Sequence, residues 1–206
     1  MLFRQKTAYE GVVRDWSSDV CCSDLDGFVM GEGSGVIVLE EYEHAKKRGA
    51  NIICELASMG MTGDAYDFVA PDPEGKGAYA SMKMALEMGR ITPDKVDYIN
   101  THGTSTPVGD VAEAEAIYKL LDGKDENVCV GSTKSIHGHI LGAAAAVEGI
   151  ICAMSIKTGK IPANINIFNL DPAIKLKSLN TEVVEKDVNI VLSNSFGFGG
   201  HNSTIV

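Results

Sequence analysis

The 206-residue sequence has no uninterrupted apolar run long enough to cross a bilayer; the nearest, residues 140–156, is broken by Glu148 and reads as a buried helix. It has no basic surplus. Its 18 Lys and Arg face 28 Asp and Glu, a net charge of -10 that excludes nucleic acid and anionic membrane as main partners, since both would be repelled. No metal-ligand spacing occurs among Cys21, Cys22, Cys54, Cys129 and Cys152, and the last three sit inside apolar runs, as buried reduced thiols do. The first residues lack an apolar h-region, so no secretory signal and a cytoplasmic location are expected. There is also no repeat of short period, and the length predicts one domain or two small ones.

Residues 1–25 differ in texture from the rest and show neither helical nor strand periodicity, yet hold the single Trp and two of the five Cys. They resemble the in-frame translation of a sequencing-library adapter, with Cys22 where Ser is expected. The expectation is a disordered, non-native leader over 1–25 and one domain over 26–206.

From Asp26 onward the pattern alternates strands, turns and helices. Gly31-Glu-Gly-Ser-Gly35 lacks the spacing of a dinucleotide fingerprint; it reads as a turn of close backbone approach leading into a strand, Val36-Ile-Val-Leu. A short charged helix over 40–49, a strand over 52–61, a Pro-rich loop and a helix over 78–88 follow. Residues 96–100 form a strand, 110–121 an acidic helix with Asp110 as N-cap, 128–130 a buried strand and 142–157 a small-residue helix closed by Gly159. A loop-rich stretch leads to a strand over 189–193, a turn over 194–202 and a last strand from Ser203. Successive strand, turn and helix units predict an α/β fold, a mixed sheet covered by helices.

Two of the strand ends carry chemistry: Thr101-His-Gly-Thr-Ser-Thr-Pro and Gly131-Ser-Thr-Lys-Ser-Ile-His-Gly-His. If the strands are neighbours, His102, Lys134 and His139 converge on one pocket at the sheet edge where ligands bind in parallel α/β folds. Neutral imidazoles donating Nε2–H to one oxygen would polarise a carbonyl or hold an oxyanion. Lys134 could keep an imidazole neutral by its positive field, or anchor a carboxylate. No nucleophile elbow accompanies Cys54, Cys129 or Cys152.

With Asn194-Ser-Phe-Gly-Phe-Gly-Gly, these motifs make residues 26–206 resemble the C-terminal half of a beta-ketoacyl-acyl-carrier-protein synthase, most similar to the elongating enzyme of bacterial type II fatty acid synthesis. The resemblance implies half of the thiolase-like layered α/β/α/β/α fold, with a Cys-His-His triad that joins a malonyl group to an acyl chain by decarboxylative condensation. It gives catalytic roles to His102 and His139, with Lys134 and Glu148 supporting them. Thr104 and Thr106 would hydrogen-bond the phosphopantetheine arm, and Phe198 would gate the nucleophile. It implies no cofactor beyond the phosphopantetheine brought by the acyl carrier protein, and a homodimer in the intact enzyme. No metal is expected, although in some members Asn100, Glu148, Ser193 and Asn194 would surround a cation. The family's nucleophilic cysteine lies in the other half, so this polypeptide is expected to be a truncated, inactive piece with an exposed apolar face. Asp67 replaces a common His, and His137 and His201 replace common Thr; both histidines read as structural. The alternatives are a polyketide ketosynthase, or an inert relative like a chain-length factor. The thiolase branch is disfavoured because residues 194–200 hold no Cys.

Overall fold

A computed structural model describes residues 27–206, so the adapter-like segment lies outside the described residues. The elements in chain order are α1 (Tyr42–Lys47), β1 (Met59–Gly63), α2 (Lys76–Gly89), β2 (Tyr98–Asn100), α3 (Gly109–Leu120), β3 (Cys129–Gly131), α4 (Lys134–His137), α5 (Ala144–Thr158), β4 (Lys160–Ile161), β5 (Val184–Glu185), β6 (Val191–Gly197) and β7 (His201–Ile205). Five strands form one sheet in the order β1-β7-β6-β2-β3, and β4 and β5 make a separate ribbon. The sheet is mixed: β2 runs parallel to both β3 and β6, while β7 is antiparallel to β6 and to β1.

Alternation along the parallel strands sorts the core into two layers. Ile99, Val130 and Leu192 face α2 and α3, where Met82, Leu86 and Ile117 complete the larger cluster. Tyr98 and Val191 face the other way, toward Cys152 of α5 and Ile161 of β4. With helices on both faces, β2 is buried at all three positions, as a central parallel strand must be. Leu141–Thr158 has the length and composition of a membrane span; here α5 lies against β6 and carries the fully buried Glu148.

The helices α1, α2, α3 and α5 fall close to the expected ranges, whereas the single turn α4 inside the second histidine motif was not expected; α5 ends at Gly159 in the left-handed conformation. Gly31 confirms the close approach read from the glycine-rich turn, because a Cβ there would overlap the His137 carbonyl. Four local expectations fail. Val36-Ile-Val-Leu forms no strand and is largely exposed, since no strand among the described residues completes a ladder for it. The strand expected over 52–61 is confined to Met59–Gly63, the part that faces β7. The turn expected over 194–202 shrinks to residues 198–200, because β6 continues to Gly197 and pairs with His201 of β7. Asp110 does not cap α3: Val108 holds that position, and the Asp110 carboxylate instead accepts from the backbone N–H groups of Ser105 and Thr106 at 3.1 and 3.2 Å.

Candidate active site

The parallel pairing of β2 with β3 sets two loops side by side at one end of the sheet. They stay joined past the strand ends: Thr101 N–H donates to the Gly131 carbonyl, and the Ser132 hydroxyl to the Gly103 carbonyl, both at 3.0 Å. His102 leaves the first loop. His139 follows the short helix α4 after the second, and its own N–H donates to the Val29 carbonyl at 2.7 Å. The two imidazoles meet edge to face, ring centroids 5.6 Å apart and planes at 87°. Phe196 lies 5.7 Å from His102, and Phe28 5.1 Å from His139, so apolar rings flank the pair on both sides.

Beneath them Lys134 is fully buried and ion-paired with Glu148 of α5, itself fully buried. Burial opposes ionisation of the Glu148 carboxyl and pushes it up to about 7, against the pull of the ammonium. Desolvation, aided by the field of Lys134, holds His102 well below the usual imidazole range and brings His139 down to about 4. Both rings are therefore neutral at pH 7. The Leu141 N–H donates to His139 Nδ1 at 3.2 Å, which leaves the His139 proton on Nε2. The Nδ1 of His102 is buried without a partner among the described residues. A pair of neutral imidazole donors above a buried cation can stabilise an oxygen that gains negative charge.

Sequence reasoning missed the carboxylate that fixes the His102 loop. Glu113, in the first part of α3, accepts from the backbone N–H groups of His102 and Gly103 at 3.0 and 2.9 Å. It accepts also from Asn194 Nδ2 at 2.9 Å. Burial raises its pKa, opposed by these three donors. Asp110, one turn earlier, is pushed to about 7 by desolvation while it holds Ser105 and Thr106. The available signal was an acidic helix starting seven residues after the first histidine: acid near a helix N-terminus is favoured, and here it reaches back to the preceding loop.

Thr104 and Thr106 lie on that loop with their hydroxyls 3.5 Å apart, Thr104 buried and Thr106 partly so. Phe198 is 72% exposed at the β6–β7 turn, which is tied to the 64–72 loop by Gly199 N–H to the Phe68 carbonyl at 2.7 Å. The aromatic that touches His102 is Phe196, two residues earlier. Asp67 accepts from Val69 and Ala70 N–H within the same loop, and these bonds lower its pKa. His201 opens β7, exposed.

The four residues considered for a cation do not share one face. Asn100 pairs with Ser193 on the side of α5, its Oδ1 accepting from Tyr98 OH and Thr133 N–H, both at 3.2 Å. Asn194 points to the opposite side, its amide spent on Glu113 and on the Thr204 hydroxyl at 2.9 Å. These side chains do not close into one coordination shell. The Glu148 Oε2 and Asn100 Nδ2 atoms are buried without partners among the described residues. Of the three cysteines among the described residues only Cys152 is buried as expected, Cys129 being partly buried and Cys54 exposed; desolvation raises the thiols of Cys54 and Cys129 and lifts that of Cys152 to about 12, so none is primed as a thiolate.

Comparisons with known proteins bear on the family and the fold. Residues 53–168, more than half of the chain, match the model of the beta-ketoacyl synthase C-terminal domain. The chain is 48% identical over 181 residues to a 3-oxoacyl-[acyl-carrier-protein] synthase 2 of Coxiella burnetii, covering 88% of this chain and 44% of that protein. The corresponding synthase of Staphylococcus aureus is 46% identical over the same length, with 45% of it covered. The chain thus spans less than half the length of these relatives. Among solved structures, the ishigamide ketosynthase/chain length factor superposes with a TM-score of 0.84 at 35% identity, over 91% of this chain and 46% of that one. A type II polyketide ketosynthase in complex with its acyl-carrier protein gives 0.87 at 33% identity, over 94% and 48%.

Proposed function

Because this chain belongs to the beta-ketoacyl synthase family, with the thiolase-like fold of its ketosynthase neighbours, we propose that it supplies the histidine side of an acyltransferase that elongates fatty acyl chains. The reaction is the condensation of a malonyl group on acyl carrier protein with an acyl thioester, with loss of carbon dioxide. The observation that carries this reading is the pair of neutral imidazoles, 5.6 Å apart, at the ends of adjacent parallel strands. His102 and His139 donate N–H to the thioester oxygen of the malonyl unit. When the bond to the carboxylate breaks, its electron pair moves into the thioester, and the two donors hold the enolate oxygen that results. The α-carbon then attacks the acyl thioester and expels a cysteine thiolate. That cysteine comes from a part of the enzyme that this chain does not span. Burial, aided by the field of Lys134, keeps both imidazoles neutral, and Glu148 balances the Lys134 charge in the buried layer.

Thr104 and Thr106 hydrogen-bond the phosphopantetheine arm that the carrier protein brings, so the enzyme needs no cofactor of its own. Phe198 swings over the entrance from its exposed turn. The working enzyme is a cytoplasmic homodimer. Fatty acid elongation is favoured over polyketide synthesis by the sequence identities, 46–48% against 33–35%.

The test joins residues 27–206 to the amino-terminal portion of the Coxiella synthase and measures carbon dioxide release from malonyl-carrier protein. Replacing His102 or His139 by Ala should lower the rate by about 10²–10³, the effect of one lost oxyanion donor. Undiminished release with both imidazoles replaced would sink the reading.

A further inference from the structure

His137 stands beside the site and has no part in the chemistry above. It ends α4, is 8% exposed, and has both ring nitrogens engaged. Nδ1 lies 2.7 Å from the Gly138 carbonyl oxygen, and Nε2 lies 3.1 Å from the Thr133 hydroxyl. A carbonyl oxygen only accepts, so Nδ1 carries the proton and the neutral ring accepts at Nε2. This is the less common neutral form of a free imidazole, and the fold selects it.

The Gly138 carbonyl belongs to the same peptide unit as the His139 N–H, which is held by Val29. Both polar atoms of that one peptide are therefore taken. Gly138 has φ 71° and ψ -178°, a region open essentially to glycine alone, where no side chain restrains rotation. The bond from His137 supplies the restraint that the glycine cannot. Downstream, the His139 ring is oriented by Leu141 N–H so that Nε2–H remains for the site.

We propose that His137 is a positioning residue: by donating Nδ1–H to the Gly138 carbonyl it fixes the peptide that carries His139, and hence the direction in which His139 presents its Nε2–H beside His102. The importance of that direction rests on the condensing role assigned to His139 above.

Nitrogen NMR of the histidine rings in the isotope-labelled 206-residue chain tests it directly. The proton of neutral His137 should be found on Nδ1; a proton on Nε2 overturns the proposal without any variant. His137→Leu should split the His139 ring signals and the backbone signals of residues 138–141 into two sets. His137→Asn, whose amide reaches the same carbonyl, should restore one set. A single unchanged set in His137→Leu also overturns it, and if that variant does not fold, the tautomer of the unaltered chain decides alone. In the joined enzyme His137→Leu should lower kcat about tenfold with KM little changed, a loss of orientation rather than of binding. A joined enzyme that releases no carbon dioxide with His137 intact counts against the condensing reading, while the tautomer result stands on its own.

Discussion

Val36-Ile-Val-Leu39 and Tyr98-Ile-Asn100 are both short apolar runs, and the sequence marks both as strands, yet only the second is one. Tyr98 and Ile99 are 0% exposed, whereas Val36 and Val38 are 86% and 83% exposed. The difference lies in their neighbours. Residues 98–100 have β3 on one side and β6 on the other, and both faces meet a helix layer. Residues 36–39 have no strand beside them among the described residues. A three-residue strand between two partners outlasts a longer apolar run with none, because pairing and two-sided burial, not composition, carry the stability.

The strongest way to break this comparison is to disturb the buried polar layer beneath β2. Glu148→Leu leaves the Lys134 ammonium buried and unpaired, and should cost about 3–5 kcal/mol in urea unfolding. Adding Lys134→Met should recover most of that loss; a double variant no better than the single one would mean that the pair is not the coupled unit drawn here. Next in size, Ile99→Ala should cost about 2–5 kcal/mol, the loss for a large residue in a closed core.

A pH series sharpens the same contrast. Burial pushes Asp110 up to about 7, so the folded state holds a proton that the unfolded chain has released. Its contribution is complete below the ordinary carboxyl range and is lost as pH rises toward 7. Between about pH 5.5 and about pH 8 the unfolding free energy should fall by about 2 kcal/mol, at about 1.4 kcal/mol for each pK unit. Asp110→Asn should flatten the slope, and a stability that rises over this range would contradict the assignment. The smallest effect belongs to the exposed run: Val38→Ala should change stability by less than about 0.5 kcal/mol. A loss as large as that of Ile99→Ala would show that residues 36–39 are covered after all.

The legible parts of the molecule were those that local sequence determines. The longer helices announced themselves by their spacing and composition, and Gly159 by its place after one of them, whereas the single turn of α4 gave no such signal. His102, Lys134 and His139 could be read because a histidine or lysine among glycine and hydroxyl residues after an apolar run departs from the composition of both strand and loop. Their convergence could be stated only conditionally, since it depends on β2 and β3 being adjacent. Glu113 and Phe196 were illegible for a related reason. Phe196 acts on a residue far off in sequence; Glu113 is only 11 residues from His102, yet nothing local distinguishes a solvated glutamate in an acidic helix from one that holds another loop.

The bond between Asn194 and Glu113 has a consequence for the order of events during folding. The loop that carries His102 is held by a carboxylate whose own partner lies on β6, 81 residues downstream, and that partner is held in turn by Thr204 of β7. Contacts of such sequence separation form slowly, after local helices and turns. During synthesis, residues 98–139 leave the ribosome with both imidazoles already present but without their last tether. The pair should therefore reach its final geometry only after β6 has paired with β2 and β7 with β6.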